Sequence, residues 1–533
     1  MSNEQSAQLS IVDLNDGMNY LAKLMLANPG TAERQLMDFL DALLTAPPDP
    51  GILFALLEQT RAPLCFVEEE MARLYHNKPV PLSHDEESAF RAAVDAWRKM
   101  GKAYALCARL EEPAVEAPGY KEMMATLLHR CVYYTGMVII EHYRAHRELP
   151  PGIWLDLHGY FETAEEWGIV FTPVSDPLES STHATHCAAA YVALLLIDVA
   201  SPYSHSVRNL NLIRRWAVMW APLVGVSPLE SDLELPPYVI ELMKDQPLHL
   251  SASVEGAAND VRRLDTARLG LQIDHAINQL RMRYTPSQLG LGEETSSHVL
   301  KLLEQLVRPW SQSSSARRFR RFVSEGTARV ATGFNPMFFH VSGVPFEQPD
   351  SAAAYSRGDF EQLFTFRDRA DPGQTLVIRP HADYPVEYWS VINHSANGFR
   401  LGRSGAGQRI QHGQLMAVCP HDGEHFLLGY ATWLMQEESG GLVVGLATLP
   451  GMPQGVSFRS LDAKSASSER YLAGFLLPAL AAIGEEQSLI LPPGNYHAGR
   501  DLEIVIGEDK RKLRLNHILL RQADFERISV VEL

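Results

Sequence analysis

The sequence predicts an α+β multidomain chain: an N-terminal all-α helical region, then an antiparallel β-barrel, then a small C-terminal β segment. Three observations point there. Apolar residues recur at helical spacing through most of residues 1–310. The run Ser311-Gln312-Ser313-Ser314-Ser315 then reads as a linker. After it, short apolar stretches alternate with turn residues, the pattern of an antiparallel barrel or sandwich.

In the helical region, Asn28-Pro29-Gly30-Thr31 is a turn with a cap, and Ala32–Leu44 follows with apolar residues on one helical face. Pro47-Pro48-Asp49-Pro50 ends that run. Asp85–Leu110 is a long amphipathic helix with Phe90, Val94, Trp97 and Tyr104 on related faces, and Tyr120–His146 is another, strongly apolar. Pro150-Pro151-Gly152 breaks the chain, so a division of 1–310 into two subdomains near 150 is open. Trp154–Trp167, His183–Val199, Val207–Trp220, Thr266–Arg283 and Ser296–Val307 read as further helices.

Residues 311–462 carry the barrel. Gly326–Gly333 and Pro336–Ser342 read as a strand pair turning at Phe334-Asn335. Residues 344–373 are rich in loop residues and locally acidic. Gln374–Arg379, Glu387–Ile392, Gly398–Leu401, Gly413–Cys419, His425–Leu434 and Leu442–Leu449 follow as strands, with a hairpin turn at His421–His425. Residues 463–533 form the last segment. Ser488–Leu491, Leu502–Ile506 and Leu513–Leu520 are strand-like, separated by turns at 492–495 and 507–509, and suit a β cap that completes or extends the barrel.

Bulk properties remove several functions. Forty-seven Lys and Arg against 64 Asp and Glu leave a net charge of −17, which excludes a basic nucleic-acid coat. The five cysteines are scattered without a CxxC pair, so neither a disulfide framework nor a zinc site is expected, and a reducing cytoplasm fits. Residues 1–8 are polar, and the longest apolar run, Ala188–Ile197, is too short to span a bilayer. A cytoplasmic chain without membrane insertion is expected. His183 and His186 form an HxxH at a helix start and read as capping or packing residues. There is no P-loop and no Gly-x-Ser-x-Gly, so the chain reads as a non-enzyme without a cofactor.

Two stretches stand out against this acidic background. No acidic residue falls between Glu304 and Glu325, while Arg308, Arg317, Arg318, Arg320 and Arg321 do. Guanidinium forks of this kind grip phosphate and the N7/O6 edge of guanine. Downstream, Asn393-His394-Ser395-Ala396-Asn397-Gly398 sits between two strand-like runs. It offers an amide, a hydroxyl and a glycine where the backbone can come close to a ligand.

Together these stretches resemble the two-part motif of the PilZ-domain family, the bacterial module that binds cyclic di-GMP. That motif is Arg-x-x-x-Arg in an arm, then Asp/Asn-x-Ser-x-x-Gly on a barrel. The resemblance covers roughly residues 315–460, and the helical part is similar to that of large proteobacterial proteins ending in such a domain. It implies that Arg317 and Arg321 wrap the nucleotide, with Arg318 and Arg320 beside them. Asn393 would meet a guanine edge, Ser395 a phosphate, and Gly398 would leave clearance. Arg321 and Asn393 stand 72 positions apart, farther than is usual in the family, and position 393 is Asn rather than Asp. The implied function is a cyclic di-GMP receptor whose helical region engages proteins of motility, adhesion or polysaccharide export. The alternative is a scaffold or adaptor with a degenerate domain that binds no nucleotide.

Overall fold

A computed structural model describes residues 9, 11–110, 119–178, 184–229, 236–251, 254, 258–312, 322–323, 326–349, 384–405, 407–461 and 470–533. The chain divides into two compact units, Met1–Ala316 and Arg317–Leu533.

The first unit is built on helices α1 (Leu14–Leu21), α2 (Pro29–Thr45), α3 (Pro50–Ala72), α4 (His84–Leu110), α5 (Tyr120–Arg144), α6 (Ile153–Glu166), α7 (Cys187–Val199), α8 (Val207–Trp220), α9 (Ala267–Arg281) and α10 (Ser296–Trp310). Local chemistry explains the starts. Asn28 accepts a hydrogen bond from the Thr31 N–H, and Pro29 occupies the first turn, where its missing N–H costs nothing. His186 caps α7 by accepting from the Ala189 N–H, as its position suggested, while His183 lies outside the described residues. The sequence reading assigned no helix to 50–72. Asp49 caps α3, and Leu53, Leu56, Leu57, Leu64 and Val67 bury one face despite Pro63 within it.

Helix α5 is long and apolar enough to cross a membrane, yet most of it is buried among its neighbours in this unit. The unit also holds a paired β1 (Val174–Ser175) and β2 (Ala184–Thr185). Beside these is a small antiparallel sheet of β3 (Gly225–Pro228), β4 (Tyr238–Glu241), β5 (His249–Leu250) and β6 (Val261–Asp265), an addition to the expected helices. A buried ionic knot ties α3 and α5 to the chain after β1. Arg61 and Arg130 both bond Asp176, at 2.9 and 3.1 Å, and Arg130 also bonds Glu58 at 2.9 Å.

The second unit holds two barrels. Strands β7 (Phe322–Val323), β8 (Thr327–Thr332), β9 (Glu387–Ser395), β10 (Gly398–Arg403), β11 (Leu415–Pro420), β12 (Leu427–Gln436) and β13 (Leu442–Thr448) make one sheet in the order β10-β13-β12-β11-β8-β9-β7. Pairing of β10 with β9 closes it into a barrel, and β7 continues the edge of β9 beyond β8. The second barrel is closed by β14 (Gln454–Ser460), β15 (Leu472–Leu477), β16 (Ser488–Leu491), β17 (Asp501–Ile506), β18 (Asp509–Arg521) and β19 (Glu526–Glu532). The C-terminal segment is thus a barrel in its own right. It begins at Gln454, so the change expected at 463 falls inside it. Closure leaves both barrels without long free edges.

One expected strand is a helix. Residues Phe334–Ser342 form α11 instead of pairing with β8. Gly333, at φ +82°, turns the chain out of the strand, and Pro336 is tolerated within the first helical turn. Helix α11 presents Met337 and Phe338 to a cluster that joins both barrels through Leu415, Phe426, Phe475 and Phe525. The expected strand Gln374–Arg379, and 350–373 before it, lie outside the described residues.

Candidate ligand site

The motif Asn393–Gly398 forms the tip of the β9–β10 hairpin. Ser395 pairs with Gly398 across the two residues Ala396 and Asn397, and Asn393 pairs with Arg400. Alternation alone would put Asn393 and Ser395 on the face of Trp389 and Val391, which are buried inside the barrel. A one-residue shift intervenes: Leu401 pairs with Val391 while Arg400 pairs with Asn393. This bulge switches faces, turning Asn393 and Ser395 out of the interior.

Direct pairing then lines up a row across five strands. Val323 on β7 faces Asn393 on β9, which faces Arg400 on β10, then Gly445 on β13, then Trp433 on β12. Ser395, Gly398 and Ala447 form a parallel row. Over these rows lies an open hollow of about 500 Å³, lined by Asn393, Ser395, Gly398, Arg400, Thr432 and Trp433 among others. The described residues lining it include no carboxylate.

The hollow is suited to an anion and a flat ring. The Arg400 guanidinium stands 5.5 Å from the Trp433 ring, and its Nε is buried without a hydrogen-bond partner. The Thr432 hydroxyl donates to the Gly445 carbonyl at 2.9 Å. Trp433 lies against bare Gly445, where a β-carbon would fall 1.9 Å from the indole Nε1. Gly398 has a reason within the fold: a β-carbon there would stand 2.2 Å from the Leu446 carbonyl oxygen. Sequence reasoning named neither Arg400 nor Trp433 as a site residue. The clue was the place of Arg400 two residues after Gly398, on the same face of β10.

Arg317, Arg318, Arg320 and Arg321 lie outside the described residues. The two residues that follow them do not. Phe322 pairs with His394 and Val323 with Asn393, with the Phe322 and His394 rings 5.8 Å apart. The chain leaving the arginine stretch therefore lands on the motif strand, although Arg321 and Asn393 are 72 positions apart in sequence. Among the described residues, no group of three His, Cys, Asp or Glu side chains could hold a metal.

Comparison with known proteins adds to this geometry. Residues 17–231 match the family described as the N-terminal domain of the cyclic-di-GMP receptor FimW. Residues 456–533 match the FimW C-terminal β-barrel domain, which coincides with the second barrel. The chain carries matches to both FimW domains. Along almost its whole length it is similar to the cyclic-di-GMP receptor FimW of Pseudomonas aeruginosa, at 23% identity over 96% of this chain and 89% of the relative. The barrel bearing the hollow falls between the two matched FimW domains, within the reach of that longer likeness.

Proposed function

We propose that this chain is a receptor for cyclic di-GMP, coupling nucleotide binding at the first barrel to a helical region that docks protein partners. The observation that carries the reading is the pairing of Phe322 and Val323 with His394 and Asn393. It supports a site in which an arginine arm and the Asn393/Ser395 rows serve one ligand. The name and the 23% identity of the FimW relative favour the same ligand. Arg400, stacked on Trp433 with a spare Nε, extends the set: a phosphate oxygen accepts from the guanidinium while a purine lies against the indole.

In this reading the residues from Arg317 to Arg321 close over the barrel when nucleotide binds. Arginine–phosphate and arginine–guanine contacts offset the ordering cost, about 1–2 kcal/mol per residue for the backbone. Binding changes the helical region only as far as the nucleotide prefers one pose over another. No bond is made or broken, so the protein acts as an effector and not as an enzyme. Partners of motility, adhesion or polysaccharide export, in the cytoplasm, suit that role.

Titration calorimetry with cyclic di-GMP tests the proposal. Saturable heat is expected for the wild type and should be lost in Arg317→Ala/Arg321→Ala and in Asn393→Ala/Ser395→Ala. A wild type without heat would sink the receptor reading and leave the scaffold. Heat that survives the arginine double variant would assign the binding to other cations.

A further inference from the structure

The helical unit contains a second hollow, of about 700 Å³, between α4, α5 and α6. Its walls hold two exposed cations on α4, Arg98 and Lys102, which are four residues apart and so share a face with Cβ atoms about 5–6 Å apart. Among the described residues neither makes a hydrogen bond or ion pair, although neighbouring Lys99 is held by Asp41 and Asp95. Thr135 on α5 and Tyr160 on α6 also line the hollow, and their hydroxyls are likewise without protein partners. Burial raises the Tyr160 phenol to about 12, so it keeps its proton and can donate.

The floor is aromatic. Trp97 is 2% exposed, lines the hollow and stacks on Tyr134 with ring centres 6.0 Å apart. Its Nε1–H is buried with no acceptor. A buried indole N–H without an acceptor is uncommon in a finished core and marks a group left for something else.

We infer that this hollow docks an acidic segment of a partner protein, with one aromatic or aliphatic side chain seated over Trp97 and carboxylates meeting Arg98 and Lys102. The charge is complementary in the direction that matters: Arg98 and Lys102 both line the hollow without an ion-pair partner among the described residues, against one lining carboxylate, Asp156. Asp156, on the α6 wall, opposes a multiply charged phosphate but accepts the N–H groups that a peptide brings alongside its carboxylates. The inference rests on the helical region being the docking part of the molecule. It does not rest on nucleotide binding.

Fluorescence anisotropy of the full chain with a fluorescein-labelled peptide of glutamates flanking one phenylalanine tests it. Saturable binding is expected, weakening with salt, and a lysine-substituted control peptide should not bind. Arg98→Glu/Lys102→Glu should weaken binding about tenfold or more, whereas the charge-matched Lys23→Glu/Arg268→Glu should not. Thr135→Trp, which fills the hollow without changing charge, should also weaken it. No saturable binding by the wild type, or equal losses in both double variants, would overturn the inference. Cyclic di-GMP calorimetry on the wild type is a separate reading, and its failure would leave the peptide result standing.

Discussion

The indole of Trp433 rests on the bare backbone of Gly445, its direct partner across β12 and β13. The glycine makes room for the ring, and the ring in turn carries Arg400. Gly445→Ala should expel the indole from this seat. The expected results are a shift in tryptophan emission and a drop of about tenfold in cyclic di-GMP affinity by calorimetry, in line with the loss of one stacked base. Unchanged affinity with a displaced indole would remove Trp433 from the site.

Gly398 separates fold from ligand. The Leu446 carbonyl occupies the place of its β-carbon, so Gly398→Ala must push β10 and β13 apart. A loss of about 1–3 kcal/mol in urea unfolding is expected, with or without nucleotide. A variant of wild-type stability that fails only in binding would return Gly398 to a purely ligand-facing role.

Asp176 is the hub of the ionic knot in the helical unit, fully buried between Arg61 and Arg130. Asp176→Ala leaves two buried guanidinium groups short of a counter-charge. Destabilisation of about 3–5 kcal/mol is expected from denaturant titration. A loss below about 1 kcal/mol would mean that Glu58 alone suffices for both arginines.

Glu68 makes the helical unit sensitive to pH. Burial, and then the charges of Glu33 and Glu141, raise its carboxyl well above the ordinary 4.5. The folded state therefore keeps this proton to higher pH than the unfolded chain does. Its contribution is full below the unfolded value and declines as pH rises towards the folded one, by about 1.4 kcal/mol per pH unit. Glu68→Gln removes that decline, so its melting temperature should gain on the wild type between pH 5 and pH 8. A difference that stays constant across that range would contradict the assignment.

Much of the helical unit was legible because its signals are local. Asn28, Pro29 and His186 act within one turn of where they stand, and Val207–Trp220 shows its apolar face without help from distant residues. Phe334–Ser342 was not legible. Its run of Phe and Met suits a strand as well as a helix, and the decision falls to the φ of Gly333 and to apolar partners contributed by both barrels. The motif at Asn393 and Ser395 was visible as residue types, but the bulge opposite Arg400 was not. Without that shift, parity buries both side chains, and Arg400 cannot be recognised as their neighbour. The start of the second barrel at Gln454 was hidden for a similar reason: β14 has its partners in β15 and β17, which come later in the chain.

The apolar seam built by Met337, Phe338, Leu415, Phe426, Phe475 and Phe525 binds the fates of the two barrels. A fragment ending before Gln454 would present half of that seam to water, a sticky surface that invites self-association. Intact, the pair should melt as one calorimetric event, so the second barrel serves as a folding partner of the first as well as a module with its own interior.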